Sequence, residues 1–130
     1  MNKTKLIFRI TTVILTLMYI GGGSRYFVEF QEISDIFYAL QFPRWLHPLL
    51  GVTKFMAVIS LVTIIFNVSA NPKWLKEWTY AGLFFNATLA FIAHQMIGEP
   101  FELSAPAILV VVLIIISRVT WGKLNKENNL

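Results

Sequence analysis

The sequence predicts an all-α membrane protein: a four-transmembrane-helix bundle with a short amphipathic helix in the first extracytoplasmic connection. Three observations predict it. Of the 130 residues, 56% are hydrophobic and only 14% charged, with a mean hydropathy of +0.64, too little charge for the polar shell of a soluble domain. Four apolar runs approach the ~20 residues a helix needs to cross ~30 Å of hydrocarbon. Trp45, Trp74, Trp78 and Trp121 stand at or near the ends of these runs, where an indole sits well at headgroup level.

The first span is expected at about Leu6–Gly22. With Lys3, Lys5 and Arg9 before it and small residues after it, this stretch has the look of a secretory signal. Three further apolar runs follow, so an uncleaved first span is the expectation. Gly21, Gly22 and Gly23 are expected to end it. The connection from Ser24 to Arg44 is too long for a simple turn. Within it Ile33, Ile36, Phe37 and Leu40 follow i, i+3, i+4, i+7 spacing, one apolar helical face. Glu32, Asp35 and Gln41 lie off that face, which points to a surface-lying or capping helix. Pro43 and Pro48 bracket the start of the second span, Leu46–Phe66. The third is expected at Trp78–Ile97 and the fourth at Ser104–Trp121, joined by a short acidic turn carrying Glu99 and Glu102. The tail from Lys123 to Leu130 is polar and expected to fray. One domain over residues 1–130 accommodates all of this.

Lys/Arg residues in the short flanks set orientation. Lys3, Lys5, Arg9, Lys73, Lys76, Arg118, Lys123 and Lys126 fall on one side, against Arg25 and Arg44 on the other. Eight against two predicts that both termini are cytoplasmic. The net charge of +4 does not point to nucleic acid, because the cations sit between apolar runs rather than along one solvated face. There is no cysteine, which excludes disulfides, thiol redox chemistry and cysteine-held clusters or zinc.

Lys54 is the most informative residue. It lies about six residues past Pro48, ~9 Å deep at 1.5 Å per residue, where an ammonium costs ~3 kcal/mol on insertion scales. It either serves a ligand in the interior or a wet cavity, or is a structural cation that snorkels or pairs with an acid. His94 lies three residues before Ile97, about 5 Å below the same surface. It is a proton or ligand contact, or a packed imidazole. Asn86, Ala90 and His94 share one side of the third span, since eight residues at ~100° bring Asn86 and His94 within ~80°. Asn86 is expected to hydrogen-bond between helices. Ala81, Gly82, Ala87, Ala90 and Ala93 are expected to let helices approach closely. Tyr19 adds a hydroxyl to the cluster or anchors the interface. Glu99 and Glu102 are counterion candidates for Lys54, with Glu29, Glu32 and Asp35 as further ones. Arg118 snorkels. His47, His94, Glu99 and Glu102 show no metal-ligand spacing, and the glycine triplet lacks the context of a phosphate-binding loop.

From Phe42 to Gly98 the chain resembles the DoxX-like family of small four-helix membrane proteins. The residues that carry this are Phe42-Pro43, Leu50-Gly51-Val52-Thr53-Lys54-Phe55, Leu75-Lys76-Glu77-Trp78-Thr79-Tyr80-Ala81-Gly82, and Ala93-His94 with Gly98-Glu99. The resemblance implies membrane accessory subunits of redox systems, a bacterial inner (plasma) membrane and quinone as a ligand. It singles out Lys54 and His94, which with Tyr19 and Glu99, placed near them by depth, are the ligand-binding candidates. It also implies that Glu77, Trp78, Tyr80 and Gly82 form a packing or partner-docking feature.

Three readings of function remain. In the first, the chain is an accessory subunit of a membrane redox system, with a quinone pocket at Lys54 and His94 supplied with aromatics by Phe84, Phe85 and Phe91 and with a redox partner protein. In the second it binds or carries a small organic or anionic molecule. In the third it assembles another membrane protein or its own oligomer. A standalone enzyme is not expected, since no nucleophile–base pair or cofactor motif is visible.

Overall fold

A computed structural model describes residues 2–66 and 72–128. The chain forms five helices: α1 (Lys3–Val28), α2 (Phe30–Ala39), α3 (Leu46–Phe66), α4 (Lys73–Met96) and α5 (Phe101–Asn128). The Asn2 side chain caps α1 by accepting from the Thr4 amide, satisfying one orphan N–H of the first turn. Asn2 also donates to Glu127 across 3.2 Å, so both ends of the chain lie at the same end of the bundle.

Contrary to expectation, the glycine triplet does not end α1, which runs on to Val28. Each glycine costs a helix about 1 kcal/mol. Inside a bilayer the alternative is unpaired backbone at several kcal/mol per group, so the helix persists. The triplet also serves packing, since a Cβ on Gly23 would stand 3.3 Å from the Lys54 Cβ. From α3, a Cβ on Gly51 would meet the Phe27 ring at 2.9 Å. Small residues at these two points let α1 and α3 approach closely.

The amphipathic helix of the first connection is α2, with Ile33 and Phe37 buried and Glu32, Asp35 and Gln41 exposed. It ends in a Schellman turn, in which Phe42 N–H donates to the Phe37 carbonyl and Gln41 N–H to that of Tyr38. Gln41 takes the left-handed position, φ 59°. The same motif closes α4, where Gly98 (φ 73°) and Glu99 donate to the carbonyls of Gln95 and His94.

α1 lies between α3 and α5, α4 packs on α5, and α3 meets α4 more sparingly. The core comprises Phe8, Leu15, Leu61, Ile64, Leu83, Ile114 and Trp121. Burial of Trp121 and Leu124 holds α5 in register to Asn128, so the segment from Lys123 expected to fray is helical as far as described. Outward faces are apolar: Leu17, Met56, Ile59, Phe85 and Leu89 are each more than 60% exposed, a surface suited to lipid rather than water.

By length and hydropathy, three helices qualify as membrane spans: α1, α3 and α5. The expected third span, Trp78–Ile97, does not. α4 has 24 residues, but Thr79, Tyr80, Asn86, Thr88, His94 and Gln95 break its apolar run. Several of these groups are satisfied inside the bundle, as described below.

Candidate functional site

Tyr19 and Tyr26 stand seven residues apart on α1, and His47 and Lys54 seven apart on α3. Two helical turns separate the members of each pair, so each pair occupies one face. Where those faces meet, the Lys54 ammonium lies 5.2 Å from the Tyr19 ring centroid and 5.1 Å from that of Tyr26, within cation–π range. Nζ donates to Asn86 Oδ1 on α4 at 3.1 Å. An ammonium can only donate, so this contact fixes the amide with its oxygen toward Lys54. Tyr19 Oη donates to the Leu83 carbonyl at 3.1 Å and lies 3.5 Å from Asn86 Oδ1. Asn86 therefore bonds between helices, and Tyr19, buried, belongs to this cluster rather than to the interface.

The acids named as counterions are engaged elsewhere or exposed. Arg25 takes Glu29 at 2.6 Å and reaches Glu32 at 3.7 Å. Asp35 accepts from Gln31, Glu99 pairs with His94, and Glu102 is exposed. Among the described residues no carboxylate forms an ion pair with Lys54. His94 does not join the ammonium either. It stands eight residues beyond Asn86, ~12 Å along α4, and its Nδ1 contacts Glu99. The Schellman turn at Gly98 produces that pair by bringing the Glu99 amide back onto the His94 carbonyl. The aromatic lining expected from Phe84 and Phe85 is also misplaced, because they open onto a groove between α4 and α5.

His47, only 1% exposed, was weighed in sequence only as a metal ligand. Its Nε2 donates to the Tyr26 carbonyl at 2.8 Å, a group left over where α1 breaks at Glu29. The rings of Tyr26, Phe30 and Phe37 surround it with centroids 4.5–5.5 Å away. His47 thereby holds α2 and the end of α1 over the Lys54 site. Tyr26 was missed because its face follows only once α1 continues through the glycines. Among the described residues, no group of three or more His, Asp or Glu is placed to hold a metal ion.

The Lys76–Gly82 segment divides by helical phase. Lys76 and Tyr80 turn inward and are buried; Lys76, one of the flank cations counted for orientation, lies 5.5 Å over the Trp121 ring. Glu77 receives Arg118 on both oxygens, at 2.8 and 2.7 Å. Arg118, expected to snorkel, is paired within the bundle, and it lies 4.9 Å over Trp121. The Tyr80 hydroxyl meets Ser117 at 2.7 Å, and Ser117 meets Thr12 at 2.7 Å. Trp78 is exposed and Gly82 has open space beside it, so neither serves packing within the chain. Ala81 is exposed too, whereas Ala87 lies in the core.

The model of the DoxX-like family matches residues 10–116, extending the resemblance of Phe42–Gly98 to nearly all of the bundle. No curated protein and no solved structure matches the chain. Its apolar helices and this match together establish a helical membrane protein that belongs to the DoxX-like family.

Proposed function

We propose that this chain is a membrane accessory subunit of a redox system that holds a small apolar ligand with carbonyl oxygens, a quinone or a related lipid-like molecule, against Lys54. The observation that carries the reading is an ammonium inside the bundle met by one neutral amide oxygen and two tyrosine faces, with no ion-paired carboxylate among the described residues. Charge at this depth costs ~3 kcal/mol, and desolvated cation–π contacts offset about 2 kcal/mol of that. Of three ammonium donors, Asn86 takes one. The remaining donors suit a carbonyl or carboxylate oxygen, and the tyrosines suit a flat apolar ring beside it. The sparing contact of α3 with α4 supports a lateral route from the bilayer to this point.

In this reading α4 crosses the membrane as the fourth span, with Tyr80 and Asn86 satisfied internally. Both termini are cytoplasmic in a bacterial inner membrane, and a partner protein carries out electron transfer. A second reading, binding of a small organic anion, is favoured by a lysine that no carboxylate pairs among the described residues. The test is equilibrium binding of ubiquinone-2 and of benzoate to protein in nanodiscs. Quinone binding that disappears in Lys54→Met, with thermal stability retained, supports the first reading, and benzoate binding with the same loss supports the second. A stable Lys54→Met protein that binds as wild type does sinks both.

A further inference from the structure

A concavity of about 310 Å³ lies between α4 and α5, and Lys54 is not part of its lining. Its lining is polar at one end and apolar along the rest. Glu77 and Arg118 form the polar end; Phe84, Phe85, Ile114 and Ile115 line the remainder. Exposed Trp74 and Trp78 flank Glu77 on α4, which sets the ion pair at headgroup level. Phe84 lies seven residues on, ~10 Å deeper. The groove thus has the polarity of a lipid, with its charged end at the interface and its apolar walls in hydrocarbon.

The charges choose among lipids. The two-pronged contact with Glu77 uses two of the five guanidinium N–H groups of Arg118, leaving three. The side chains of Arg118 and Glu77 remain 38% and 35% exposed, so both are reachable. Lys76 is closed off at 1% exposure and is not part of the lining, so the charges of the lining itself, Glu77 and Arg118, balance. We propose that this groove binds a zwitterionic phospholipid bearing a primary amine, phosphatidylethanolamine, its phosphate on Arg118, its ammonium on Glu77 and an acyl chain along the apolar walls. A quaternary amine has no N–H to give Glu77, and an anionic headgroup would set a second negative charge against it.

The test is native mass spectrometry of delipidated protein with equimolar phosphatidylethanolamine, phosphatidylcholine and phosphatidylglycerol of identical chains. One bound phosphatidylethanolamine is expected in roughly ten-fold excess over each competitor, the worth of one charge-assisted hydrogen bond. Glu77→Gln should bring phosphatidylethanolamine and phosphatidylcholine level. Ala81→Phe, which fills the groove, should reduce all three adducts while thermal unfolding confirms the fold. Lys54→Met should leave the preference intact. Preference for phosphatidylglycerol, no preference among headgroups, or undiminished adducts in Ala81→Phe would each overturn the assignment.

Discussion

Replacing Ser117 by alanine should destabilise the bundle more than removing the tyrosine hydroxyl it meets. The reason is the direction of a buried hydrogen-bond chain. The Phe8 carbonyl can only accept, so Thr12 donates its single hydroxyl proton there, at 2.6 Å. Thr12 must then accept from Ser117, and Ser117 from Tyr80. Ser117 and Thr12 are fully buried and Tyr80 is 3% exposed. Ser117→Ala strands the Tyr80 O–H and removes a bond to Thr12. A stranded buried donor costs about 1–3 kcal/mol, so a loss of about 2 kcal/mol is expected. Tyr80→Phe leaves Ser117 still donating to Thr12 and keeps the ring beside Trp121. It costs about 0.6 kcal/mol, the typical worth of a hydrogen bond between membrane helices. The double variant removes both partners and should be more stable than Ser117→Ala alone. Reversible unfolding in mixed detergent micelles measures all three. A double variant less stable than Ser117→Ala, or a Tyr80→Phe cost exceeding that of Ser117→Ala, would refute the assigned direction.

The two helix-ending turns give a paired prediction. Gln41→Gly should stabilise by about 1 kcal/mol, because a side chain at φ 59° carries a left-handed penalty that glycine lacks. Gly98→Ala, at φ 73°, should cost a similar amount and loosen the His94–Glu99 pair, seen as a changed His94 ring signal in NMR. Orientation is testable because the chain lacks cysteine. In intact cells, Ala39→Cys should react with an impermeant maleimide and Lys126→Cys should not, both positions being exposed. The reverse pattern would invert the topology.

Wherever a single periodicity decides the outcome, the fold was legible in sequence. The bounds of α3 coincide with its apolar run, and the stripe of Ile33 and Phe37 marks α2. The glycine triplet misled because propensity learned in water omits the cost of unpaired backbone in lipid. The C-terminal tail misled because composition hid Trp121 and Leu124, whose i, i+3 spacing docks that turn onto the core. At the site, depth singled out Lys54, whereas helical phase linked Asn86 to His94 and only the packing of α3 on α4 joins it to Lys54. The partner acids were misassigned because residues near in sequence claimed them first: Arg25 takes Glu29, and the turn at Gly98 folds Glu99 onto His94. Lys76 was hidden for a related reason, since charge counting treats every flank lysine as solvated, whereas Trp121 gives this one an aromatic face.

The central claim is that the Lys54 ammonium serves a ligand. Its most direct test is a high-resolution cryo-electron microscopy map of the protein extracted in native lipid, enlarged by a rigid binder, together with mass spectrometry of what co-purifies. The account expects density for a flat or lipid-like molecule beside Tyr19 and Tyr26, with an oxygen at hydrogen-bond distance, about 3 Å, from Nζ. A carboxylate from a neighbouring copy seated on Nζ, or Nζ contacting only Asn86 and water with nothing co-purifying, would contradict it.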